Sequence, residues 1–142
     1  MTALRPGDLV ELRLTSGRGY LLVTHVHPVY SEVVYIFRGL YPEGCDPRAL
    51  NRDGGYRLFP LGAKLGSELT GKIVERGYGF DLQKDFPSFR IDVTDRNDAH
   101  LYSWIWDGEA VRPSSKDEAA PLPERRMTAI GELSALFSRS NP

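Results

Sequence analysis

The chain has 142 residues, with 41% hydrophobic and 26% charged side chains and a formal net charge of −1. That composition is globular and excludes a disordered, collagen-like or coiled-coil chain. One cysteine excludes an internal disulfide and any multi-cysteine metal centre. The 14 glycines and 10 prolines favour short elements joined by turns over a few long helices.

In chain order, Pro6-Gly7-Asp8 is a turn signal. Val10 to Leu14 alternates apolar and polar residues, as a half-buried strand does. Ser16-Gly17-Arg18-Gly19 reads as a hairpin turn, Tyr20 to His27 as the returning strand, and Val29 to Phe37 as a third strand rich in β-branched and aromatic residues. Residues 39–55 form a connection punctuated by glycine and proline, and Asp46-Pro47-Arg48-Ala49-Leu50 predicts a helical turn within it. Asp46 would be the N-cap and Pro47 the first helical residue.

Strands are expected at Tyr56–Leu61, within 65–74, and at 88–93. Another covers Leu101–Asp107, and Ala110–Arg112 finishes a last hairpin. Residues 114–123 read as a surface linker. Met127, Ile130, Leu133, Leu136 and Phe137 fall at helical spacing and predict an amphipathic C-terminal helix over 124–138 packed on the same domain as residues 1–113. The expected fold is mainly β: a bent antiparallel sheet or SH3-like partial barrel of six to eight strands with one C-terminal helix. No leader or membrane-spanning run is visible, which points to a cytoplasmic protein.

The charge is uneven. Residues 1–91 sum to +2, residues 92–124 to −5, and residues 125–142 to +2. Asp92, Asp95, Asp98, Asp107, Glu109, Asp117 and Glu118 make up most of the acidic middle segment. Tyr102, Trp104 and Trp106 form an alternating stripe on one face of a strand within it. Leu101, Ser103 and Ile105 line the other face, so the strand reads as central in its sheet. Aromatic side chains beside acidic groups suit a protein interface, whereas the plainer reading is core packing.

Chemistry-bearing residues are sparse. His25 and His27 would share a face of a strand and are weak metal candidates, short of a third ligand. Cys45 beside Asp46 is a candidate nucleophile with one of the histidines as base. Asp92, Asp95 and Asp98 lack the ligand spacing of a calcium loop and read as a turn between strands. No phosphate loop, dinucleotide fingerprint or serine-hydrolase elbow occurs.

Pro6-Gly7-Asp8-Leu9-Val10-Glu11-Leu12 followed by Gly17-Arg18-Gly19-Tyr20 resembles the opening of the bacterial immunity protein 26 family. Gly71-Lys72-Ile73-Val74, Phe86-Pro87-Ser88-Phe89-Arg90 and the run from Leu101-Tyr102 to Asp107-Gly108 are similar to later segments of that family in order and spacing. The resemblance covers residues 5–112. It implies a small β-rich protein, without catalytic residues or cofactor, that binds and neutralises a toxin enzyme made by the same bacterium. The expected contact residues are Asp92, Asp95, Asp98, Trp104, Trp106, Asp107 and Glu109, because acidic groups steer binding to a basic enzyme. Two other classes remain open from the residues. One is a nucleic-acid-binding SH3-like β-barrel using Arg5, Arg13, Arg18, Arg38 and Arg57 with tyrosines for stacking. The other is a small hydrolase or metal enzyme using His25, His27 and Cys45.

Overall fold

The structure is a computed structural model, and it describes residues 4–14, 17–29, 32–52, 56–61, 71–79, 85–127 and 137. The described residues are mainly β. The strands are β1 (Leu9–Leu14), β2 (Gly17–His25), β3 (Val33–Ile36), β4 (Tyr56–Leu61), β5 (Gly71–Glu75), β6 (Phe89–Thr94), β7 (His100–Trp106), β8 (Val111–Ser114) and β9 (Arg125–Met127). They form an open six-stranded sheet in the order β5-β1-β2-β3-β4-β9 and a three-stranded sheet in the order β6-β7-β8. Among the described residues no pairing closes a barrel. The chain divides into two compact units, one of residues 1–82 with 127–142 and one of residues 83–126.

In the first unit the period-two pattern is buried on both sides. Val10, Leu12, Leu21, Val23, Val34 and Ile36 pack on one face with Leu4 and Phe137. Leu9, Tyr20, Leu22 and Phe37 pack on the other with Leu50 and Tyr78. The described part of the connection, residues 39–52, helps cover this second face. Its 3-10 turn, Pro47–Ala49, is capped by Asp46, whose side chain accepts from the Arg48 amide, and Pro47 opens it as the sequence predicts. The Tyr78 hydroxyl donates to the Pro47 carbonyl at 2.8 Å, and Arg48 pairs with Glu75 at 2.8 Å. The long connection is therefore a packed cover held at several points.

Five expectations change. Gly17, Arg18 and Gly19, expected in the hairpin turn, pair with β1 as the start of β2, and β3 spans Val33–Ile36 rather than Val29–Phe37. β2 ends at His25 rather than His27, after a register shift between Val23 and His25. Residues 114–123 contain the end of β8 and one helical turn, α1 (Lys116–Ala119), which lies against β7 and buries Ala119. At the start of the expected C-terminal helix, Arg125–Met127 form β9 instead. The rest of that helix falls outside the described residues apart from Phe137, which is fully buried.

In the second unit β7 is the central strand, as its two apolar faces suggest. β6 and β8 pair with it antiparallel, Ile91 opposite Trp104 and Trp104 opposite Pro113. One face therefore carries Phe89, Ile91, Val93, Tyr102, Trp104, Trp106, Val111 and Pro113. The other carries Arg90, Asp92, Ser103, Ile105, Arg112 and Ser114.

Candidate functional site

The expected contact residues all lie in the second unit, but Trp106 is core and Asp92 lies on the face of the sheet opposite Trp104. Trp106 is buried at 3% exposure. Phe86 meets its ring edge-on at 5.4 Å, and Phe89 lies opposite it in the sheet. Trp106 is thus a core residue. Trp104 is half-buried, and Tyr102, edge-on to it at 6.1 Å, is 49% exposed. The aromatic stripe runs from core to surface along a single strand.

The carboxylates separate into three groups. Asp95 sits in the β6–β7 turn, where its Oδ1 accepts from the Asn97 and Ala99 amides at 2.8 and 3.0 Å. Asp98, at φ 62°, completes that turn in the left-handed region, which aspartate tolerates better than most residues. Asp107 sits in the β7–β8 turn and accepts from the Glu109 and Ala110 amides at 3.0 and 2.9 Å. Those amide donors hold its carboxyl below the usual range and keep it ionised. The two turns cap opposite ends of β7, about 20 Å apart at the rise of a strand.

Asp92 belongs to a network that the sequence reading missed. Ser103 Oγ donates to Asp92 Oδ1 at 2.7 Å and lies 2.8 Å from His100 Nε2. Arg90 Nε donates to Asp92 Oδ2 at 3.0 Å, and the Arg90 guanidinium also reaches the Leu122 carbonyl. His100 joins because of a register shift between Val93 and Thr94, which pairs Thr94 with His100 and leaves Leu101 as the extra residue. Strict alternation would turn His100 to the Tyr102 face; the bulge puts it on the Ser103 face.

Serine, histidine and aspartate are together here, but in the wrong order for nucleophilic catalysis. A catalytic carboxylate orients the histidine, which then takes the serine proton. Here the serine proton goes to the carboxylate, and Ser103 is buried at 4% exposure. Burial of Asp92 favours its neutral form, yet the Ser103 hydroxyl and the Arg90 guanidinium outweigh this and hold its carboxyl below the usual range, so it is a poor base. The network fastens β6, β7 and the 122–124 segment together. Because the folded value lies below the unfolded one, the stability it contributes is present above the unfolded carboxylate range and is lost as pH falls through the depressed value. Asp92→Asn should flatten this acid limb in thermal unfolding measured from neutral to about pH 3. Parallel profiles for the two proteins would contradict the assignment.

The other candidates disperse. His25 is buried with Nδ1 2.9 Å from Thr24 Oγ1, whereas His27 lies beyond β2 and accepts from the Val29 amide at 3.1 Å. They do not share a strand face. Among the described residues no three His, Cys, Asp or Glu side chains gather as a metal site. Cys45 is half-buried beside the Asp46 carbonyl; burial pushes its thiol up, and Asp46 and Glu11 push it further. Iodoacetamide at neutral pH should alkylate Cys45 more slowly than an unstructured cysteine peptide; a faster rate would revive it as a nucleophile.

Of the arginines, Arg18 lies 3.9 Å from Glu11 and 3.3 Å from Glu43. Glu11 also accepts from the buried Tyr20 hydroxyl at 2.6 Å, and that hydroxyl is held far above its ordinary value by burial and by Glu11. Arg5 and Arg13 are exposed, Arg38 is half-buried, and Arg57 lies opposite Tyr35 with its side chain outside the described residues. Comparison of the chain with protein-family models, curated proteins and solved structures finds no match.

Proposed function

We propose that this protein is a non-enzymatic protein-binding module, an immunity-type inhibitor that neutralises a bacterial toxin enzyme by occupying its surface. The observation that carries the reading is the exposure of Tyr102 and Val111, 49% and 50%, on the aromatic face of the β6-β7-β8 sheet. Large apolar side chains left in water on a rigid sheet mark interaction sites. The acidic turns at both ends of β7 favour a basic partner, as enzymes that act on nucleic acid are. An SH3-like arrangement of the sheets is part of this proposal and rests on the succession of short strands and turns in the sequence.

Catalysis has less support. The Asp92-Ser103-His100 order, the raised Cys45 thiol and the separation of His25 from His27 each remove a route to it. Nucleic-acid binding has less support because Arg18 is already neutralised by Glu11 and Glu43.

The reading expects a neighbouring gene for a large secreted protein with a toxic C-terminal domain. Expressing that domain alone should arrest the host, and co-expressing this chain should restore growth. A host arrested equally with and without the chain overturns the reading.

A further inference from the structure

Building on the protein-binding reading, we infer that the open part of the aromatic face, Tyr102, Trp104, Ile91, Val93 and Val111, docks a protein patch that is apolar at its centre and carries lysine or arginine at both ends. Phe86 covers Trp106, while Tyr102 at the far end of the strip and Val111, beside Trp106 on β8, remain half in water. The register places Val93 opposite Tyr102 and Ile91 opposite Trp104, so the apolar surface continues across strands.

Charge sets the second half of the inference. Asp95 and Asp98 stand at the Tyr102 end, Asp107 and Glu109 at the Trp106 end. Asp95 and Asp107 accept backbone amides, which fixes each carboxylate in place. The surface thus reads acidic, apolar, acidic along about 20 Å. Its complement is basic, apolar, basic, and an arginine at its edge can also lie over the aromatic rings.

Strand addition is disfavoured as the mode of contact. The edge strand β8 carries Pro113, which has no amide to donate. At the opposite edge, the Arg90 amide already donates to the Pro123 carbonyl at 2.9 Å. Docking therefore uses the side chains of the face.

The probe is a synthetic peptide with an aromatic and aliphatic centre, as long as β7, with paired lysines at each end. A second peptide replaces the lysines by glutamates. Titration of the isotope-labelled full chain, followed by amide and indole NMR signals, should shift residues of β6, β7 and β8 with the lysine peptide and none with the glutamate peptide. Added salt should weaken the effect. Tyr102→Ser should weaken binding about tenfold, and Tyr102→Ser with Val111→Ser should abolish it, with the dispersed spectrum of the folded chain retained. Equal binding of the two peptides, shifts centred elsewhere, or no shift at millimolar peptide each overturn the inference. Such a failure leaves the growth test untouched. Peptide binding without growth protection instead overturns the toxin-inhibitor role alone.

Discussion

Phe137→Ala is expected to lower the unfolding free energy by about 3–5 kcal/mol, the range for deleting a fully buried aromatic ring. The ring is buried completely in the cluster of Leu12, Leu21, Val34 and Ile36. It lies so close over Gly19 that a Cβ there would sit 2.8 Å from the ring. Its carbonyl accepts from the Gly39 amide at 2.8 Å, which fixes the chain beside it. The loss combines the apolar area returned to water with a slot that the sheet cannot collapse to fill. Phe137→Leu should cost less, and Gly19→Ala should also destabilise by forcing the ring outward. Urea unfolding of the three variants checks this. An unchanged midpoint for Phe137→Ala would place the ring outside the core.

Trp106→Ala should be as damaging, again about 3–5 kcal/mol, while Tyr102→Ala should cost about 1 kcal/mol or less. The two residues are four apart on the same strand face, yet Trp106 is 3% exposed and Tyr102 49%. Trp106 packs with Phe86 and Phe89, and Phe86 also rests on Gly108, whose φ of 98° and lack of a Cβ allow the β7–β8 turn to pass beneath it. Thermal unfolding of the two variants separates the roles. Trp106 holds the second unit together, and Tyr102 is available to a partner at little structural cost. Equal destabilisation would mean that Tyr102 is also core, and the docking face would lose its exposed aromatic anchor.

Much of the strand content was legible, in some runs from a period of two and in others from β-branched and aromatic composition. Tyr56–Leu61 coincides with β4, and the expected central position of 101–107 matches β7 between β6 and β8. The cap at Asp46 and Pro47 was readable because capping is local chemistry. Long-range consequences were not. β9 is three residues beside an apolar run of helical period, so nothing in its own composition announces a strand. The bulge at Leu101 exists only relative to its partner, since one extra residue shows when β6 and β7 are set in register. His100 was therefore missed as the neighbour of Ser103 and Asp92.

The candidate surface was half legible for the same reason. Alternation put Tyr102, Trp104 and Trp106 on one face, but the gradient of exposure depends on Phe86 arriving from before β6. The acidic run was visible in the charge count. That it divides into two turns and one internal network follows from the backbone amides that Asp95 and Asp107 accept and from the Ser103 hydroxyl opposite Asp92.

The most direct test of the central claim is inhibition stoichiometry. Under the proposed role, a toxic domain found encoded beside this chain should be purified and titrated with the full chain while its activity is followed. A non-catalytic inhibitor that occupies the toxin surface predicts a linear loss of activity ending at one chain per toxin, with the toxin recovered intact on separation. Undiminished toxin activity in a large excess of the chain, or inactivation of many toxin molecules by one chain, would contradict it.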